Sequence, residues 1–276
     1  MIRVTFGGPG LSGFASTGVG DEYVRLFFPD PETGEVVLPI VDGRGFWSWP
    51  EGRKPAHTEP YTVRRFDGER GEIDIDFVVH EGGRASEWAQ RARPGDGLVI
   101  NQPHGLYEAP DDIEWVLFAC DATGIPALGR LLEDLPASVE ARAIVEIADP
   151  AHELTLMSPA RLDVTWLHGS GNGIAPSRLP EAVGAMKLPA RPGYVWIAAE
   201  QKAARPLRRR MRHELKLPGD RYSVTAYWTD HLAEWQAGWS ALDPAIKARI
   251  EAAWASDRDR DDVADEVDAI LDTAGL

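Results

Sequence analysis

The side chains in this chain whose types and spacing invite chemistry are mostly ones that handle anions. Gly82 and Gly83 lead through Arg84 and Ala85 to Ser86 and a short helical run. Two glycines and then a hydroxyl residue mark a loop entering a helix. Such a start presents unpaired N–H groups and a partial positive charge, which suits a phosphate. A second stretch runs from Lys202 to Lys216, with seven Lys and Arg residues, His213 and one acid, Glu214. Against a net charge of −15, this local cluster is a candidate anion site. Lys202, Arg205 and Arg208 are its candidates, joined by Lys54 in the Trp-, Pro-, Gly- and basic-rich loop Val41 to Thr58. A solvated helix face is the competing expectation, as is neutralisation by the acidic final helix. Asp121, Thr123 and Pro126 stand where an apolar strand gives way to a helix, a place for capping or for ligand contact. Cys120 is the only cysteine and the seven histidines are scattered. A small buried residue is expected there, and no metal site in the protein itself.

The elements that must position these groups fall into two rhythms. Residues 1–108 show short period-two alternations separated by Pro, Gly and Asp clusters: Tyr23–Phe28, Glu35–Ile40, Tyr61–Arg64, Ile73–His80 and Leu98–Ile100. That spacing, crossed by one short helix at Ser86–Ala92, predicts a β-barrel or sandwich. From Ile113 the strands become unbroken apolar runs alternating with amphipathic helices. Trp115–Ala119, Ala141–Ala148, Asp163–Leu167, Tyr194–Ala198 and Tyr222–Trp228 alternate with helices near 128–135, 179–186 and 206–215. Parallel βα units buried on both faces read this way, and their ligands sit outside the carboxyl ends of the strands. Ala119–Pro126 and Ala198–Ala203 lie at those ends. Residues 240–276 are helical by their three- and four-residue apolar steps and carry ten acids and four bases.

At 276 residues the chain holds one large domain or two ordinary ones. Its 43% hydrophobic and 26% charged content is that of an ordinary soluble protein. No run of 18 apolar residues is present, so no membrane span is expected. The polar start and the single cysteine fit a reducing cytoplasm. The negative charge argues against general nucleic-acid binding.

Taken in register, several short motifs add up. They are Tyr61-Thr62-Val63-Arg64, Asp74-Ile75-Asp76-Phe77-Val78-Val79-His80, Ala85-Ser86-Glu87-Trp88-Ala89, Pro94-Gly95-Asp96, Asp121 to Ala127, Trp196 to Glu200, and Tyr227-Trp228. Together they resemble the siderophore-interacting protein family, flavin-dependent ferric-siderophore reductases of the ferredoxin-reductase-like superfamily. The resemblance covers the chain to about Trp228. It implies an N-terminal antiparallel six-stranded FAD-binding β-barrel (1–108), a parallel-sheet NAD(P)-binding α/β domain (112–239) and a C-terminal helical extension (240–276). Electrons would pass from NAD(P)H or ferredoxin through FAD to Fe(III) in a siderophore, in a cytoplasmic monomer. Carried over by position, Tyr61, Thr62, Val63, Arg64, His80, Gly83, Arg84, Ala85 and Ser86 would meet FAD. Asp121, Thr123, Pro126 and Glu200 would lie at the flavin and nicotinamide. Lys54, Lys202, Arg205 and Arg208 are the substrate-side candidates, and the basic run suits either the extra phosphate of NADPH or an anionic iron chelate. No acid–base catalytic residue is required.

The chain also departs from the family pattern. Glu59 stands two residues before Tyr61, where the family places an arginine against the FAD pyrophosphate. At roughly 5 Å and an effective dielectric of about 20, each unit of charge there is on the order of 3 kcal/mol. Arg64, Arg65 and Arg84 are the possible compensators, and Arg84 is the best placed. Cys120, Ala122, Ala199, His104 and Thr229 are further departures. They motivate two alternatives: a non-catalytic relative that binds a siderophore or a partner without flavin, and an NAD(P)H:flavin or quinone reductase on the same scaffold.

Overall fold

Alternating apolar residues build the first half. The computed structural model describes residues 1–43 and 47–276, so 44–46 of the Val41–Thr58 loop lie outside the described residues. Strands β1 (Ile2–Phe6), β6 (Arg65–Asp67) and β7 (Glu72–Phe77) form one antiparallel sheet in the order β1-β7-β6. Strands β2 (Tyr23–Phe28), β5 (His57–Thr62) and β8 (Val99–Ile100) form a second, in the order β5-β2-β8. These six strands enclose Val24, Leu26, Phe28, Val63, Ile73, Ile75 and Phe77. Helix α1 (Arg84–Arg91) adds Ala85 and Ala89 to that core. A small hairpin, β3 (Ile40–Val41) with β4 (Trp47–Ser48), stands apart. The strand expected at 35–40 is cut to Ile40–Val41. Pro39 cannot donate to a ladder, and of the apolar residues there only Val37 is buried while Leu38 and Ile40 are exposed, so little burial supports the longer strand.

The second half is a parallel sheet in the order β11-β10-β9-β12-β13, formed by β9 (Trp115–Cys120), β10 (Glu140–Ile147), β11 (Arg161–His168), β12 (Gly193–Glu200) and β13 (Tyr222–Trp228). The apolar run of β9 is continuous because both its faces are covered. Val116, Phe118 and Cys120 pack under α2 (Ile125–Glu133), and Trp115, Leu117 and Ala119 under α3 (Leu179–Ala185) and α4 (Gln201–Arg209). Helix α4 begins at Gln201, not at Pro206 as expected, because the Glu200 carboxylate accepts the Lys202 N–H at 2.6 Å and caps it there. Pro206 falls inside the helix, which widens into a π turn over Arg210–Glu214.

Helices α5 (Leu232–Ala241), α6 (Pro244–Trp254) and α7 (Arg260–Ala274) follow. They close a separate apolar cluster of Ile250, Ala253, Val263, Val267, Ile270 and Leu271. No helix among the described residues is long and apolar enough to cross a membrane.

Candidate functional site

The two halves meet through buried acids at the start of β2. Asp21 accepts the N–H groups of Leu106 and Tyr107 at 2.9 and 2.8 Å and the indole N–H of Trp196 at 3.0 Å. Glu22, wholly buried, accepts Ser16 Oγ, Thr17 N and Thr17 Oγ1, and Arg130 Nη1 of α2 at 2.8 Å. Arg130 also donates to the Val63 carbonyl at 2.9 Å. Burial pushes the Glu22 carboxyl up, but hydrogen bonds from Ser16, Arg130 and Thr17 outweigh it and hold it below its ordinary value. Gly20 lies so close to α2 that a Cβ there would stand 2.8 Å from the Leu131 nitrogen. The seam is therefore tight as well as charged. It sets Thr62, the last residue of β5, in hydrogen-bond contact with Tyr227 near the carboxyl end of β13.

On the barrel side of this seam, α1 opens without a side-chain cap. Gly83 is its N-cap. The N–H groups of Arg84, Ala85 and Ser86 make no backbone hydrogen bond among the described residues. The Arg84 guanidinium, exposed beside them, has no ion pair among the described residues. The Ser86 hydroxyl is engaged differently from the sequence expectation. It donates to His80 O at 2.9 Å and accepts His80 N at 3.0 Å, pinning the chain after β7 to the helix. A Cβ at Gly83 would stand 2.3 Å from the ring of the exposed His80, so any larger residue there displaces that ring.

Along β5, His57, Glu59 and Tyr61 share one face by the strand's period of two. A Glu59 carboxylate oxygen meets His57 Nε2, and the Tyr61 hydroxyl donates to the other at 3.5 Å. Burial first, and then the Glu59 charge, push the Tyr61 hydroxyl far above its ordinary value, so it stays protonated. The Tyr61 ring lies against Phe77 with centroids 4.6 Å apart. Thr62 points the other way and is buried at the seam, while Val63 is a fully buried core residue. Of the three possible compensators for Glu59, two are taken. Arg64 pairs across the seam with Glu133 at 3.0 Å, and Arg65 with Asp74 at 2.7 Å. Arg84 remains.

At the carboxyl edge of the sheet, the expected contact residues hold the strand ends together. The buried Asp121 carboxylate accepts Thr123 N (2.9 Å), Thr123 Oγ1 (2.6 Å), Glu200 N (2.9 Å) and Trp228 Nε1 (2.7 Å). Burial nevertheless raises its pKa. Pro126 is buried in α2, and Glu200 caps α4 while accepting Asp230 N at 3.1 Å. Gly124 is required because a Cβ would stand 2.5 Å from that of Cys120. Sequence reasoning missed Asn172, whose side chain reaches Ala122 N at 3.0 Å. Only the run of glycines around it (Gly169, Gly171, Gly173) hinted at an unusual loop.

The basic helix is where the structure corrects the sequence. Arg205 and Arg208, expected to meet an anionic substrate, are closed off by α7. Arg205 Nε lies 3.1 Å from Asp268 and its Nη1 donates to Asp272 and to the Leu276 main-chain oxygen. Arg208 pairs with Asp268 at 3.0 Å. Arg212 and His213 meet Asp259, Asp262 and Asp265 in the same way. The acidic helix matches the cationic one along its length, so their charges cancel inside the chain. Lys202 stays exposed on α4, and Lys54 pairs with Asp30 at 2.8 Å on the surface of the barrel half. Among the described residues no cluster of three or more His, Cys, Asp or Glu is arranged to hold a metal ion.

Comparison with known proteins accounts for nearly the whole of both halves. Residues 1–107 match the family described as "Siderophore-interacting FAD-binding domain" and residues 113–231 the family described as "Siderophore-interacting protein". The chain is 36% identical to the NADPH-dependent ferric-chelate reductase of Escherichia coli K12, over 82% of this chain and 86% of that one. It is 30% identical to the ferric vibriobactin reductase ViuB of Vibrio cholerae, over 83% of each. A siderophore utilization protein from T. fusca superposes with a TM-score of 0.72 at 35% identity, over 83% of this chain and 87% of that one. Helices α5 to α7 lie beyond the residues that the two families match.

Proposed function

The chain belongs to the siderophore-interacting protein family, and on that premise we propose that it is a flavin-dependent reductase of ferric siderophores using NAD(P)H. The observation that carries this reading is one juxtaposition. An uncapped helix start with a free arginine lies on the barrel, and the fixed seam brings the end of β5 to the carboxyl edge of a parallel sheet. The residues present fit FAD. The amides of Arg84, Ala85 and Ser86 and the Arg84 guanidinium offer donors and positive charge to a pyrophosphate. The Tyr61 ring and the strand around it offer a flat apolar surface for a ring system. Bound there, FAD supplies the conversion between hydride transfer and the single-electron reduction of Fe(III).

The protein's own part is positioning and electrostatics. Glu59 is the charge of the wrong sign on the Tyr61 face of β5, where it is held between His57 and the Tyr61 hydroxyl. Arg130 and Glu22 hold the two halves at one spacing, so the donor and acceptor sites keep a constant separation. Iron(III) is held tightly by hard oxygen donors and iron(II) far less so. Electron transfer alone therefore releases the metal, and no side chain need shuttle a proton. We place the protein in the cytoplasm as a monomer. Ferredoxin is the alternative electron donor.

Anaerobic mixing of the FAD-loaded protein with NADPH, a ferric hydroxamate and a ferrous trap tests this. Fe(II) must form faster than with free flavin at the same concentration; equal rates would refute the assignment. A colourless preparation that free FAD cannot reconstitute would favour the flavin-free relative suggested by Glu59.

A further inference from the structure

A parallel sheet of this order takes the phosphates of a dinucleotide at its switch point, between β9 and β12, where free amides at the following helix start face the ligand. Here those amides are already bonded. Thr123 N donates to Asp121 Oδ1 at 2.9 Å, Gly124 N to Asp121 O at 3.1 Å, and Ile125 N to Ala122 O. Pro126 has no N–H. These three bonds belong to the turn itself and cannot be surrendered without unwinding it. The Ala122 amide is different. Its acceptor, Asn172 Oδ1 at 3.0 Å, comes from another loop, fifty residues further along the chain.

That loop is fastened at its stem by a buried carboxylate and at its tip only by neutral hydrogen bonds. Glu146, fully buried at the end of β10, accepts Ser170 Oγ at 2.8 Å, Ser177 Oγ at 2.7 Å and Arg178 N at 2.6 Å. The stem is thus bound from both sides. The tip, Gly171-Asn172-Gly173, has φ values of 59°, 55° and 75°. Asn172 is the one residue of the tip with a side chain, in a conformation that glycine adopts freely and asparagine tolerates. Its amide nitrogen donates to Glu146 O at 3.1 Å and Ser170 O at 3.2 Å, so all its contacts are neutral hydrogen bonds. A dianionic or monoanionic phosphate oxygen is a stronger acceptor for the same N–H than a carboxamide oxygen.

We propose that Asn172 determines donor specificity by occupying the Ala122 amide that a phosphate of the nicotinamide dinucleotide takes. Dinucleotide binding then requires the Gly171–Gly173 tip to withdraw, whereas a donor lacking a phosphate at that point leaves it in place. This rests on the reading above that the donor is a dinucleotide.

Two variants with opposite expected signs test it, with NADP+ affinity measured by calorimetry on the FAD-loaded protein and no turnover needed. Asn172→Gly keeps the backbone conformation and removes the competing acceptor. Loss of one neutral competitor lowers the NADP+ Kd about two- to tenfold. Asn172→Asp keeps an acceptor on Ala122 N and adds a charge facing the phosphate, raising the Kd about tenfold or more. Melting temperatures are read alongside to establish that each variant folds. A purely stapling side chain predicts that Asn172→Gly binds NADP+ no better than the parent, and that result overturns the proposal alone. Absence of NADP+ binding in the parent and in Asn172→Gly alike, with FAD retained, overturns the dinucleotide assignment and the proposal together. The two failures are distinguishable.

Discussion

Replacing Arg130 by methionine isolates the charge that joins the two halves. Arg130 Nη1 bonds Glu22 at 2.8 Å and the Val63 carbonyl at 2.9 Å; its side chain is 13% exposed and that of Glu22 is fully enclosed. Removing one partner of a buried pair leaves an uncompensated charge, at a cost of about 3–5 kcal/mol. Glu22 keeps its bonds from Ser16 and Thr17, so the lower part of that range is expected. The pH dependence makes the test specific. In the parent the folded carboxyl titrates below its unfolded value of about 4.3, so it stabilises the fold above that pH and loses the contribution as pH falls through the folded value. Without Arg130 a lowering influence is gone and burial remains, so the folded value rises. The variant's deficit is then largest near pH 7 and narrows as pH approaches 5, where protonation relieves the buried charge. Urea unfolding at several pH values, followed by tryptophan fluorescence, measures both quantities, and Trp196 at the seam reports directly. A deficit below about 1 kcal/mol at pH 7, or one independent of pH, would refute this account of the seam. A double variant, Glu22→Gln with Arg130→Met, should recover much of the loss.

Three further outcomes are expected. Arg84→Ala should weaken FAD binding about ten- to hundredfold in a flavin fluorescence titration, the range of a hydrogen bond to a charged group, while Arg84→Lys recovers part of it. Gly124→Ala forces a Cβ to 2.5 Å from that of Cys120 and 3.2 Å from the Ala198 carbonyl oxygen, and overpacking of this kind costs about 1–3 kcal/mol, readable as a lower urea midpoint. The α7 helix meets α4 through ion pairs while its apolar face serves its own cluster, so raising NaCl from 0.1 to 1 M, which shortens the Debye length from about 10 to 3 Å, should speed tryptic cleavage after the exposed Arg258. Unchanged cleavage would mean that the helix is held by packing rather than by charge.

What the sequence by itself determined is the part that repeats locally. Alternation in Ile73–Phe77 and continuity in Trp115–Cys120 reported burial on one face and on two, so the barrel half, the parallel sheet and the acidic final helix were legible in order. The Gly82-Gly83 entry marked the start of α1 because loop chemistry and helix start lie within five residues. Glu59 was visible as a departure for the same reason. Only the tertiary structure decided how side chains far apart in sequence are matched. Arg205 and Arg208 looked like an anion site until Asp268 and Asp272, sixty residues on, were found against them. Arg64 and Arg65 looked free until Glu133 and Asp74 claimed them, leaving Arg84. Asp121 and Glu200 looked like ligand contacts, yet their carboxylates satisfy the N–H groups that converge where β9, β12 and β13 end. Asn172 left no mark beyond its neighbouring glycines. Periodicity encodes which face of an element is buried. Which donor meets which acceptor at the ends of elements depends on where separate loops are brought together by packing, and no local pattern carries that.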